Sequence, residues 1–237
     1  MAWSAEGCGV DVKEYITVRR AYNIVRQKVS PAERLTFEEL AVLALLSSSA
    51  KPVPTSSIAN WQHALRPTMT HRANHLAALD LIARGEGQAD RRNVVCTITE
   101  KGEARLAELC SEIRQVLAHG KVLTRIDSVR IKQYLLAMGQ YYVQASDLVL
   151  VSLAISPREG VPIALIVGAL GLLQPTVSMS VQALEERGLA KRDVPGAKAV
   201  KAYLTDAGRM RAEDLIMCIE ALVVKRRPRS SSKTASA

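Results

Sequence analysis

Apolar residues recur at intervals of three and four over long stretches of the chain, and short Ser-, Pro- and Gly-containing turns interrupt them. The pattern predicts a mainly helical protein. A long helix is expected over Val12 to Val29, stopped by Pro31. Amphipathic Phe37 to Leu46 follows and ends at Ser47-Ser48-Ser49. A short helix over Thr55 to His63 then leads through a tight turn into a longer helix opening at Pro67, where a missing N–H costs nothing. Beyond it the period changes. Leu81-Ile82-Ala83-Arg84 and Val94-Val95-Cys96-Thr97-Ile98 flank the polar, Gly-containing stretch 85–93, which predicts a two-stranded hairpin. Thr99 is placed to N-cap a last helix running to about Ala118.

The same grammar returns. Leu65-Arg66-Pro67-Thr68 aligns with Leu173-Gln174-Pro175-Thr176 at an offset of 108, as do Leu40 with Leu148, Ile58 with Ile166, Leu76 with Leu184 and Leu81 with Leu189. Ile98-Thr99-Glu100-Lys101-Gly102 returns as Leu204-Thr205-Asp206-Ala207-Gly208 at an offset of 106. Such self-similarity predicts two copies of one domain. In the second copy the expected helices are Ile126 to Gln144, Asp147 to Ile155, Pro162 to Leu170 and one opening at Pro175. A hairpin with strands Leu189 to Asp193 and Lys198 to Leu204 follows, then a helix to about Val224.

Short helix, turn, second helix and hairpin make a winged helix-turn-helix. With two preceding helices and a long final one, the order resembles the MarR family of bacterial transcription regulators. The resemblance is carried by Asp90-Arg91-Arg92 with Thr97-Ile98-Thr99-Glu100-Lys101-Gly102. In the second copy it is carried by Leu184 to Arg192 with Leu204-Thr205-Asp206-Ala207-Gly208. It covers residues 10–120 and again 121–225, the two expected domains, leaving 226–237 as a disordered basic tail. It departs from the family at Asp80, where Gly is usual, and at His63, which holds the turn position of Gly171. The second copy also lacks an Asp-Arg-Arg wing. The resemblance implies a dimer built from first and last helices. Here the two copies are expected to supply both halves as an intramolecular pseudo-dimer, with a homodimer as the alternative.

Composition narrows the partners. Aromatics are 4% with a single Phe, so the core is aliphatic, and the net charge is +9. Residues 1–118 hold 15 basic and 13 acidic residues, whereas 119–237 hold 17 and 10, so the excess sits in the second half. A polyanion is the expected partner, and with the winged-helix reading that is double-stranded DNA. The longest apolar run, Val161 to Leu173, is too short to span a bilayer, and residues 1–6 carry no signal-peptide pattern. No membrane association is expected. Cys8, Cys96, Cys110 and Cys218 lie far apart without metal spacing, which fits free thiols in a cytoplasmic, nucleoid-associated protein.

With Met69, Ala73 and Leu76 at core spacing, Thr68, Thr70, His71, Asn74 and His75 are expected to face outward from the reading helix. Asn suits adenine, while Thr and His suit bases or phosphate. The plain alternative is a solvated polar face. His71 and His75 have metal-ligand spacing, but nothing local completes a site, so no metal is expected. Arg91 and Arg92 are wing residues for phosphate or minor groove, and the resemblance implies that Asp90 orients an arginine. In the second copy Thr176, Ser178 and Gln182 form an uncharged reading face beside Lys198 and Lys201. The resemblance also implies a small phenolic effector between wing domain and long helices. Neither paired carboxylates, a nucleophile motif nor a phosphate loop is found, so no enzymatic activity and no cofactor are expected. The competing reading is a tandem winged-helix interaction scaffold of the chromosome-segregation type.

Overall fold

The computed structural model describes residues 7–86, 94–157, 159–193 and 200–225. Strand β1 (Gly7–Gly9) precedes helix α1 (Val12–Lys28), a short 3-10 turn at Pro31–Glu33 and α2 (Phe37–Ser47). Then come β2 (Val53–Pro54), α3 (Thr55–Trp61), α4 (Arg66–Ala78), β3 (Ile82–Glu86), β4 (Val94–Ile98) and α5 (Glu100–Ala118). The order recurs as α6 (Ser128–Met138), α7 (Ala145–Ala154), β5 (Val161–Pro162), α8 (Ile163–Leu170), α9 (Gln174–Glu186), β6 (Ala190–Arg192), β7 (Lys201–Leu204) and α10 (Asp206–Glu220). Strand β8 (Val223–Lys225) follows. We refer to α1–α5 and α6–α10 as the N-terminal and C-terminal sets. The fold is mainly helical with small antiparallel sheets, consistent with a winged helix.

Local chemistry sets the helix starts. Asp11 accepts from the Lys13 N–H at 2.7 Å and caps α1. Thr36 and Glu39 form a reciprocal capping box at α2. Pro67 and Pro175 sit in the first turns of α4 and α9. Thr99 and Thr205 cap α5 and α10, each accepting from the glycine N–H three residues on, at 3.0 Å in both cases.

Three expectations need correction. The helix predicted over Ile126 to Gln144 spans only Ser128–Met138, because Asp127 caps its start and Gly139 its end. The last helix stops at Glu220 rather than near Val224. Residues 223–225 instead pair antiparallel with Gly7–Gly9, Cys8 opposite Val224. Each wing has three strands, not two. Val53–Pro54 adds to β4 and Val161–Pro162 adds to β7, giving the orders β2-β4-β3 and β5-β7-β6. Both added strands lie at sheet edges, where proline is tolerated.

The two sets share one buried core. Helix α1 packs on α5 of its own set and on α8 and α10 of the other, while α6 packs on α2 and α5. Three α1 side chains satisfy carbonyls around the end of α8. Arg20 Nε donates to Gly168 O at 2.7 Å, Asn23 Nδ2 to Leu170 O at 2.8 Å and Gln27 Nε2 to Gly171 O at 2.6 Å. These are groups a helix C-terminus otherwise leaves unpaired. Returning ties run from Lys132 Nζ to Ser47 Oγ at 2.7 Å and from Tyr134 OH to Glu14 Oε2 at 2.6 Å. Among the described residues, no single helix is long and apolar enough to cross a membrane.

Candidate nucleic-acid interface

The α3–α4 corner is held from below. Gln62 is buried, and its Nε2 donates to Glu38 O at 2.8 Å. His63 then takes the left-handed conformation at φ 49°. In the C-terminal set Gly171 makes the same turn at φ 60°. The turns after α4 and α9 repeat the contrast, Asp80 at φ 59° against Gly188 at φ 70°. The N-terminal set thus accepts two side chains in a region that costs a non-glycine residue roughly 1 kcal/mol each.

Met69, Ala73 and Leu76 are buried, which turns Arg66, Thr68, Thr70, His71 and Asn74 to solvent. His75 departs from the expected outward orientation. It is half-buried, and its Nδ1 lies 2.8 Å from Oε1 of the buried Glu39 on α2. The His71–His75 pair is therefore split between solvent and protein. Among the described residues, no three His, Cys, Asp or Glu side chains are grouped to hold a metal ion. Arg72 also turns inward, donating to Gln62 Oε1 at 2.8 Å, with its guanidinium 5.9 Å from the Tyr142 ring centroid.

Two arginines escaped the sequence reading. Arg66 stands at the start of α4. Arg84, on β3, donates to Asn74 Oδ1. Both line a cleft of about 230 Å³ between α3, α4 and the wing, together with Thr55, Ser56 and Thr70. The available signal was the spacing of Arg84 from Asn74 across the tight turn at Asp80. Helix α4 and strand β3 meet there.

The corresponding surface of the C-terminal set has another chemistry. Thr176 and Ser178 are half-buried rather than fully outward. Gln182 is exposed, and its Nε2 donates to Glu186 Oε1 at 3.0 Å. Arg192 is ion-paired with Glu185. Apolar side chains dominate what remains, with Leu165 63%, Leu173 54% and Met179 71% exposed. Lys201 is half-buried on β7. Asp90, Arg91, Arg92, Lys198, the tail 226–237 and the Cys8 side chain lie outside the described residues.

Cys96, Cys110 and Cys218 are free cysteines. Burial pushes the Cys110 thiol up to about 11 and raises that of Cys96, so neither holds much thiolate near neutrality.

Neither the family models nor the curated proteins contain a match to this chain. Solved structures do. The chain is similar to the transcriptional regulator BldR from Sulfolobus solfataricus, at 24% identity over 49% of this chain and 79% of that one, TM-score 0.39. It is also similar to BpsR from Bordetella bronchiseptica, whose DNA binding is regulated by 6-hydroxynicotinic acid (23% identity, 50% and 86% covered, TM-score 0.36). A third is a MarR-family transcriptional regulator from Rhodococcus sp. RHA1 (18% identity, 52% and 87% covered, TM-score 0.38). Each match spans about half of this chain.

Proposed function

We propose that the chain is a sequence-specific, double-stranded-DNA-binding transcription regulator of the MarR type. In this reading 10–120 and 121–225 are tandem copies of one winged helix-turn-helix domain, packed as an intramolecular pseudo-dimer. The observation that carries the proposal is the exposed face of α4. Arg66, Thr68, Thr70, His71 and Asn74 stand on one helix beside Arg84 of the wing strand, a basic and hydrogen-bonding surface of the kind that enters a major groove. In this reading Arg91 and Arg92 contact phosphate or minor groove, Asp90 orients an arginine, and Lys198 and Lys201 take over part of that role in the second domain. His75 serves as an anchor of α4 rather than as a base contact. A cytoplasmic, nucleoid-associated location goes with this reading.

A small-molecule effector belongs to it as well. The candidate cavity, about 530 Å³, lies between α2, α3, α6 and β8 and is lined by Leu45, Trp61, Gln133, Leu136 and Gln140.

Binding to duplex DNA should fall by about three orders of magnitude between roughly 50 and 200 mM salt if six or more phosphates are neutralised. Fluorescence anisotropy with a random duplex pool measures this, and absence of binding at low salt would refute the reading. Leu165, Leu173 and Met179 favour the scaffold alternative for the C-terminal set alone, and that alternative predicts no such salt dependence.

Assembly has its own expected result. A symmetric homodimer must offer identical residues to both half-sites, whereas fused domains need not. One chain should occupy each site. The selected motif should be asymmetric, with its information under α4 and little under α9, where Glu185 and Glu186 occupy Arg192 and Gln182. Mass measurement of the complex together with the motif decides. Two chains on a perfect palindrome would rule out the pseudo-dimer.

A further inference from the structure

The contact between Arg84 and Asn74 constrains which base α4 can read. A guanidinium donates through five N–H groups and accepts nothing. The Asn74 amide must therefore turn its oxygen toward Arg84, and its NH2 group is left for the partner. Reading adenine through both of its major-groove groups requires an amide to accept from N6 and donate to N7 together. Guanine instead presents two acceptors, N7 and O6. Arg84 takes one of the two Oδ1 lone pairs and sets its remaining N–H donors beside the other, so the edge that Asn74 presents is dominated by donors. Adenine's amino group would have to dock against them.

We propose that Arg84 and Asn74 act as one donor-dominated reader that selects guanine over adenine at a base pair under α4. This rests on the duplex-DNA reading above and makes Arg84 a specificity-determining residue. It also replaces the sequence-based assignment of Asn74 to adenine. The C-terminal set shows that the arrangement is particular to this site. Its corresponding residues at an offset of 108 are Gln182 and Arg192. Gln182 engages its NH2 end with Glu186 where Asn74 engages its oxygen with Arg84, and Arg192 is held by Glu185 instead of reaching the amide. The amides at matching positions are thus held through opposite ends.

The test is selection from a random duplex pool by the full-length chain and its Asn74→Ala and Arg84→Met variants. Both side chains are exposed, so the folds should persist, which circular dichroism checks. The expected motif has a guanine whose preference over adenine falls about tenfold in either variant, with adenine gaining when Arg84→Met releases Oδ1. Adenine at the Asn74-dependent position of the unmodified chain would overturn the proposal. So would an Arg84→Met variant that binds all sequences equally more weakly, the behaviour of a phosphate contact. Failure of the unmodified chain to retain any duplex would instead remove the DNA reading itself.

Discussion

Alanine at Gly208 or Gly102 should lower the melting temperature by roughly 6–12 °C, the equivalent of about 3 kcal/mol in a chain of this size. A Cβ at Gly208 would stand 1.8 Å from the Leu189 carbonyl oxygen, and one at Gly102 would stand 2.0 Å from that of Leu81. Both neighbours are backbone and cannot rotate away. Around each glycine the threonine three residues earlier closes the joint. Thr99 Oγ1 donates to Asp80 O at 2.8 Å while accepting from Gly102 N, and Thr205 Oγ1 donates to Gly188 O at 2.7 Å while accepting from Gly208 N. The Thr-x-x-Gly motif is thus a seam between the turn after α4 or α9 and the start of the last helix of each set. Gly168→Ala is the control. Nothing lies within 4 Å of its added methyl, so helix propensity alone should raise stability by about 0.5–1 kcal/mol. Thermal unfolding of the three variants measures the contrast. A Gly208→Ala protein as stable as the parent would show that the seam can open without loss.

That seam was visible in the sequence as a repeated motif, and so were most helices, because caps, first-turn prolines and apolar spacing are local signals that recur 106 or 108 residues apart. Interactions between distant segments left no such trace. Nothing in Gly7-Cys8-Gly9 announces a strand, since its partner Val223-Val224-Lys225 lies at the other end of the described chain. The two-residue edge strands at Val53–Pro54 and Val161–Pro162 are too short for any periodicity, and proline argues against them until an edge is recognised. The exposed face of α4 followed from the spacing of Met69, Ala73 and Leu76. The partners on that helix did not. His75 lies on the border of the face, and its inward turn is decided by Glu39, 36 residues earlier in sequence. The Arg84–Asn74 contact likewise depends on the turn angle at Asp80 rather than on either residue's own element.

Removal of the Arg19 guanidinium should be more damaging still, at about 3–5 kcal/mol, because it leaves a buried carboxylate without its cation. Arg19 and Glu38 are both buried, and their Nη1 and Oε1 atoms stand 3.4 Å apart. The same guanidinium lies 4.3 Å from the Phe37 ring centroid, and its Nη2 donates to Val143 O at 3.3 Å. One side chain therefore joins α1 to α2 and to the segment entering α7, so it bridges the two sets. Arg19→Ala exposes three losses together: the charge pair, the cation–π contact and the donor to Val143 O. Arg19→Met with Glu38→Gln removes both charges at similar volume and should recover most of the loss, since a buried pair is costly mainly when half of it is taken away. Urea denaturation of Arg19→Met, Glu38→Gln and their double variant, with Arg19→Ala alongside, gives the coupling directly. A single variant within about 1 kcal/mol of the parent would mean that water reaches Glu38 and that the bridge contributes little. The double variant carries the sharper distinction. If it is no more stable than Arg19→Ala, the loss comes from the contacts to Phe37 and Val143 O, and the bridge acts through packing between the sets rather than through charge.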